Sequence, residues 1–184
     1  MSRQNRPQDI NDPKYWKTRL EKAINKNKIH EAIFLCSLSR WQQIEETHKK
    51  ILSNVILPNE SILDVGCGWG RLLDLMPSGW AGDYLGIDLS PDFVNLANER
   101  HPDKTFIVGS AEEIIPVVAA SPSNFIGPDL KFDWCVVISM RPMIINNQGQ
   151  QAWDNLQQLI FSICNRILFL EYVENDTGNV EYPK

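Results

Sequence analysis

The 184-residue sequence predicts an α/β fold built on a doubly wound, mostly parallel sheet. Three observations carry that prediction. Short apolar runs rich in β-branched residues recur at Ser61–Val65, Tyr84–Asp88, Thr105–Val108, Phe132–Ser139 and Ile167–Tyr172. Segments with helical periodicity separate them, the alternation that gives parallel strands and right-handed crossovers. Several of the strands run into small or acidic residues (the loop after Val65, Asp88, Ser110 and Ser139–Met140), where open α/β sheets hold their ligands.

The elements follow in order. Residues 1–12 are polar and predict a flexible arm. Trp16, Leu20 and Ile24, then Ile29, Ile33 and Cys36, then Trp41, Ile44, His48, Ile51 and Val55 predict two or three amphipathic helices within 13–56, expected to form a lid. Ser39 is the candidate cap of the last one. Pro58-Asn59-Glu60 turns into the first strand. Arg71–Met76 reads as a short helix stopped by Pro77-Ser78-Gly79. Ser90-Pro91 is a helix start with a capping hydroxyl and a proline at the first helical position; Phe93, Leu96 and Ala97 form the buried face. A short helix and then a loop are expected between Pro116 and Lys131. The run Trp134–Ile138 predicts a central strand buried on both faces. A loop is expected over 140–150, and a helix over Gln150–Asn165 with Trp153, Leu156, Ile160 and Ile163 on one face. The whole reads as a single domain, with a core over 57–175.

Composition narrows the function. Net charge is −5 with no dense Lys/Arg block, which argues against strong binding to nucleic acid or an anionic membrane. No apolar run approaches the ~20 residues of a membrane helix, and Met1–Pro7 lacks the apolar core of a signal peptide, so the expectation is a cytoplasmic protein. Cys36, Cys67, Cys135 and Cys164 have no paired spacing, and His30, His48 and His101 are scattered, so no metal site is expected.

The most informative stretch is Asp64-Val65-Gly66-Cys67-Gly68-Trp69-Gly70-Arg71. Gly66, Gly68 and Gly70 allow φ > 0 and close approach of backbone to a ligand, and the amides beyond them attract negative groups. With Asp88 at the end of the second strand and Gly109-Ser110-Ala111-Glu112 after the third, this stretch resembles the class I S-adenosylmethionine-dependent methyltransferases. The match covers roughly residues 50–175. It implies a Rossmann-like fold, S-adenosylmethionine as cofactor, and methyl transfer by in-line displacement to a second substrate, expected here to be a small molecule.

Residue by residue, the resemblance implies that amides near Gly68–Arg71 hold the cofactor carboxylate and Asp64 its ammonium group. Asp88, with Leu89 beside it, is implied for the ribose hydroxyls, and Ser110, Ala111 and Glu112 for the adenine. Ser139 joins this set. Trp41, with Trp69, is a candidate wall facing the sulfonium by cation–π attraction. Arg141 is a candidate for gripping an anionic acceptor, and Glu171 a candidate general base.

Two departures stand out. Ser110 replaces the family's frequent aspartate, which weakens the side-chain contact to adenine. The chain after the fifth strand is too short for the family's antiparallel hairpin, so that hairpin is expected to be reduced or absent. Asn175–Gly178 could turn back into one short strand; otherwise the fifth strand is an edge favouring a homodimer. The Asn/Asp-Pro-Pro-aromatic box of enzymes that methylate nucleic-acid amino groups is replaced by Ser139-Met140-Arg141-Pro142. Two alternatives remain at this point: a non-catalytic binding module, and a nicotinamide-dependent oxidoreductase. The latter needs Gly-x-Gly-x-x-Gly and meets Arg71 at the last position.

Overall fold

The computed structural model describes residues 11–33, 36–126 and 131–171, with the backbone of 173–174 and 180–181. The arm expected over residues 1–12 therefore lies almost wholly outside the described residues, as do part of the loop near 128 and the turn at 175–178.

Five strands form one parallel sheet in the order β3-β2-β1-β4-β5. They are β1 (Ile62–Val65), β2 (Tyr84–Asp88), β3 (Thr105–Val108), β4 (Phe132–Ile138) and β5 (Cys164–Leu170). The order reverses between β1 and β4, and the crevice beyond their carboxyl ends is where such sheets bind ligands.

The helices cover both faces. α5 (Ala111–Ala120) and α7 (Gln150–Ile163) pack with Leu63, Val65, Leu85, Cys135 and Val137. On the other face, Leu52 of α2 (Leu38–Val55) and Leu72 and Leu75 of α3 (Arg71–Leu75) cover Ile62, Tyr84 and Val136. The two faces take alternate residues of each strand, as the pleat requires. Trp153, Leu156, Ile160 and Ile163 are all buried along α7, and each such side chain contributes about 1.5–3 kcal/mol on burial.

A third apolar cluster joins α1 (Pro13–Asn25) and α2 to the glycine loop: Leu20, Ala23 and Trp41 pack with Trp69 and with Phe93 of α4 (Pro91–Arg100). The amino-terminal helices are thereby seated on the loop that opens the crevice.

Several boundaries differ from the sequence expectation. The cap of α2 is Ser37, which has extended φ and ψ and accepts from the Arg40 N–H; Ser39 already lies inside the helix. The expected loop over 140–150 contains α6 (Arg141–Gln148), started with Pro142 in its first turn and ended at Gly149 with φ +87°. α5 begins at Ala111, and Pro116 sits within it on an exposed position. β5 starts at Cys164, directly after the last residue of α7, earlier than Ile167. Beyond it, β6 (Val173–Glu174) and β7 (Val180–Glu181) pair antiparallel as a separate two-stranded sheet, so the expected terminal hairpin is present in reduced form. β5 is an edge of the main sheet. No helix among the described residues is long and apolar enough to cross a membrane.

Candidate active site

The crevice at the carboxyl ends of β1, β2 and β4 is a cavity lined by Asp64, Gly66, Cys67, Gly68 and Arg71 from the glycine loop. Asp88, Leu89, Ser110, Ala111 and Glu112 complete the lining on the side of β2 and β3. Met140, at a strand end the sequence marked, also faces it, together with Asn11, Trp16, Ile33, Phe93, Met143 and Gln148, which the sequence did not single out for the site.

Gly66, Gly68 and Gly70 have φ of +76°, +55° and +76°. At Gly66 a Cβ would collide with Met140 Sδ, and at Gly68 it would lie 3.4 Å from Ile33 Cδ1. The backbone is therefore approached from the cavity side by α6 and by the amino-terminal segment. Gln148 Nε2 donates to Asn11 Oδ1 at 3.0 Å, joining those two covers.

Asp88 braces the loop. Its Oδ2 accepts from Gly68 N–H at 2.9 Å and its Oδ1 from Ser90 N–H at 2.8 Å. The Gly68 bond closes across 20 residues of chain, and it commits the amide that the resemblance offered to a ligand carboxylate. Burial raises the Asp88 pKa, against those two bonds. Each oxygen keeps a further lone pair for a hydroxyl donor.

Asp64 is 2% exposed, and its Oδ2 accepts from the Tyr84 phenol at 2.7 Å. Burial lifts its pKa from 3.8 to about 7; the Tyr84 bond opposes that, Asp88 adds to it, and Arg71 opposes it. Such a group favours a cationic partner, which would restore its charge.

Other residues have different environments from those implied. Trp41 lies outside the cavity lining: its ring stacks on His30 at 5.7 Å and takes the Arg71 guanidinium at 4.3 Å. Its helical spacing signalled a core position. Arg71 approaches Glu45 at 3.5 Å and His48 Nδ1 at 3.0 Å, so its side chain ties α2 to the loop. Burial, with Arg71 beside it, drives the His48 pKa down to about 3.

Ser110 spends its hydroxyl on a capping box: it accepts from Glu113 N–H, while Glu113 Oε2 accepts from Ser110 N–H, both at 3.3 Å. The signal was present in the sequence as Ser110-x-x-Glu113. Gly70 and Ser139 do not line the cavity. Ser139 sits at φ +58°, turning β4 into α6, with its hydroxyl buried. Arg141 and Glu171 line a second cavity on the other side of the Met140–Arg141 step.

An open parallel sheet with a braced glycine loop, a buried Asp64 and a half-buried Asp88 at its switch point defines a Rossmann-like domain. The protein-family model described as "Methyltransferase domain" matches residues 62–160. The chain belongs to that methyltransferase-domain family.

Among relatives, a Mycobacterium tuberculosis protein named as a methyltransferase is 35% identical over 100 residues, 51% of this chain and 60% of its own. The phosphoethanolamine N-methyltransferase of Plasmodium falciparum is 34% identical over 89 residues, 48% of this chain and 33% of its own. The chain thus spans less than two thirds of these relatives' lengths. A solved phosphoethanolamine N-methyltransferase 1 of Haemonchus contortus, in complex with phosphoethanolamine and S-adenosylhomocysteine, superposes with a TM-score of 0.57. At 17% identity over 90% of this chain and 33% of that one, it attests the fold alone.

Proposed function

We propose that the chain is an S-adenosylmethionine-dependent methyltransferase acting on a small-molecule acceptor. The observation that carries this reading is Asp64, a buried acid held by Tyr84 at the cavity wall, whose charged form an ammonium group would favour. Family membership supports it.

The residues present fit the cofactor. Asp64 would take its ammonium group, and Asp88 its ribose hydroxyls through the lone pairs left by Gly68 and Ser90. The positive-φ glycines turn the loop that would lie against it, with Met140 packed where a Gly66 Cβ would stand. The adenine would lie by Leu89 and Ala111, since the Ser110 hydroxyl is occupied as a cap. When bound, the cofactor supplies an electrophilic methyl group on sulfur. The chain's task is then alignment, which alone is worth up to ~7–11 kcal/mol and requires no catalytic triad.

The oxidoreductase alternative has little support. Arg71 replaces the needed glycine, and its side chain is engaged by Glu45, His48 and Trp41.

The test is ligand-dependent thermal stability. S-adenosylhomocysteine at a hundred times its Kd should add ~2.7 kcal/mol, and NAD should add nothing. Absence of a shift with both S-adenosyl compounds would refute the reading.

A further inference from the structure

The second cavity lies at the end of β5, next to the first. Met140 and Leu156 line the first cavity, and their chain neighbours Arg141 and Gln157 line the second, so the two lie side by side.

Glu171 projects into the second cavity while only 8% exposed. Its Oε1 accepts from the Arg141 N–H at 3.0 Å, which orients the carboxyl at the start of α6. Its Oε2 is buried and makes no hydrogen bond of normal geometry, although the Met140 amide lies close enough to favour the charged form. A buried carboxyl oxygen without a donor costs stability, and such atoms mark places where a ligand supplies the missing partner. Burial raises the Glu171 pKa to about 7, with the Arg141 and Met140 amides and the Arg141 charge opposing it.

The remaining lining narrows the ligand. Arg141 is exposed at the rim, a cation near enough to act on Glu171. Trp153 and Phe169, with ring centroids 5.0 Å apart and tilted by 55°, add aromatic surface to the lining. An acid at one end and a guanidinium at the other complement a molecule carrying both signs. A lone amine would face the repulsion of Arg141, and a lone anion that of Glu171.

We propose that this cavity binds a small zwitterionic amine, its ammonium donating to Glu171 Oε2 and its anionic group meeting Arg141, and that this amine is the acceptor in the methyl transfer proposed above. The acceptor role rests on that reading; the binding site does not. In the transfer, nitrogen first gives a proton to Glu171. Its lone pair then forms the N–C bond as the S–C bond breaks, the bonding pair remaining on sulfur, and the proton passes from Glu171 to water.

Binding is tested by calorimetry on the full chain, with phosphoethanolamine and β-alanine as the zwitterions and ethanolamine, ethyl phosphate and propionate as their halves. At least one zwitterion should bind at least tenfold more tightly than either of its halves. Glu171→Gln, whose amide oxygen can still accept from Arg141, should weaken that zwitterion at least tenfold, and Arg141→Met should do likewise. Both variants should hold S-adenosylhomocysteine within twofold of the parent. The zwitterion that binds should also be methylated, with release of S-adenosylhomocysteine. Binding of halves and wholes alike, no binding of either zwitterion, or full binding by Glu171→Gln would overturn the site. A zwitterion that binds but is not methylated by a chain shown to hold the cofactor would overturn the acceptor role. Failure of the parent chain to bind S-adenosylhomocysteine would instead overturn the cofactor reading.

Discussion

The phenol of Tyr84 donates to Asp64 Oδ2 at 2.7 Å, linking the first residue of β2 to the acid before the glycine loop. It is the hydrogen-bond donor that burial leaves to this carboxylate in the binding cavity. Tyr84→Phe should raise the Asp64 pKa further and weaken S-adenosylhomocysteine about tenfold at pH 7, the loss expected for a charge-assisted bond. Calorimetry at pH 7 and at pH 9 checks this, and the deficit should shrink at the higher pH.

Asp64 also gives stability a pH dependence of known sign. Its folded pKa is raised from 3.8 to about 7, so the folded chain keeps a proton that the unfolded chain has released. The contribution is complete below pH 3.8 and is lost as pH rises through about 7, by about 4 kcal/mol at most. His48 acts in the opposite sense: its stabilisation is present above pH 6.5 and is lost as pH falls toward 3. Comparing the parent with Asp64→Asn cancels His48. The melting temperature of the parent relative to that variant should fall between pH 5 and pH 8. The shift caused by S-adenosylhomocysteine should grow over the same range, because the ligand ammonium favours ionised Asp64.

Asp88→Ala removes the acceptors of both Gly68 and Ser90. The variant should melt lower, by roughly 1.5–3 kcal/mol for each charged bond lost. Its affinity for S-adenosylhomocysteine should drop at least tenfold. A variant that binds as the parent does would remove Asp88 from the ribose contact.

Gly66→Ala meets two obstacles, a φ of +76° and the Met140 sulfur standing where the new methyl would go. Denaturant midpoints should show a loss of at least ~1 kcal/mol from the left-handed backbone alone. Adding Met140→Ala should recover the part due to collision and leave the backbone part, a coupling that a double-mutant cycle reads directly.

Arg71→Met should separate α2 from the glycine loop. It deletes the partner of Glu45 and His48 and the cation over Trp41, at a position 4% exposed. Removing one member of such a buried cluster costs about 3–5 kcal/mol. Arg71→Lys should recover little, since an ammonium cannot serve the stacked, forked geometry. Urea unfolding measures both.

The sheet was legible because each of its strands is an apolar run ending in a turn signal, and β1, β2 and β3 begin and end close to where those runs do. Asp88 was legible because it is the acid that ends the apolar run of β2, the strand beside the glycine loop. What escaped is long-range or doubly determined. Gln148 and Asn11 reach the cavity through the placement of α6 and the amino-terminal segment, and they are separated by 137 positions. Trp41 carried an aromatic ring suited to a cation, and the cation it meets is Arg71 of its own chain. α6 was hidden because Met143, Ile144 and Ile145 form a contiguous apolar run without helical spacing, between a proline and a glycine.

The direct passage from Ile163, the last residue of α7, to Cys164, the first of β5, makes chain length itself a constraint. One residue added there would turn α7 by about 100° relative to β5, or exchange every inward side chain of β5 for an outward one. The same addition beside Gly79, where a methyl group would meet nothing within 4 Å, alters only a surface turn. Length variation in descendants of this chain should therefore collect in the turn after α3 and be purged at the α7–β5 junction.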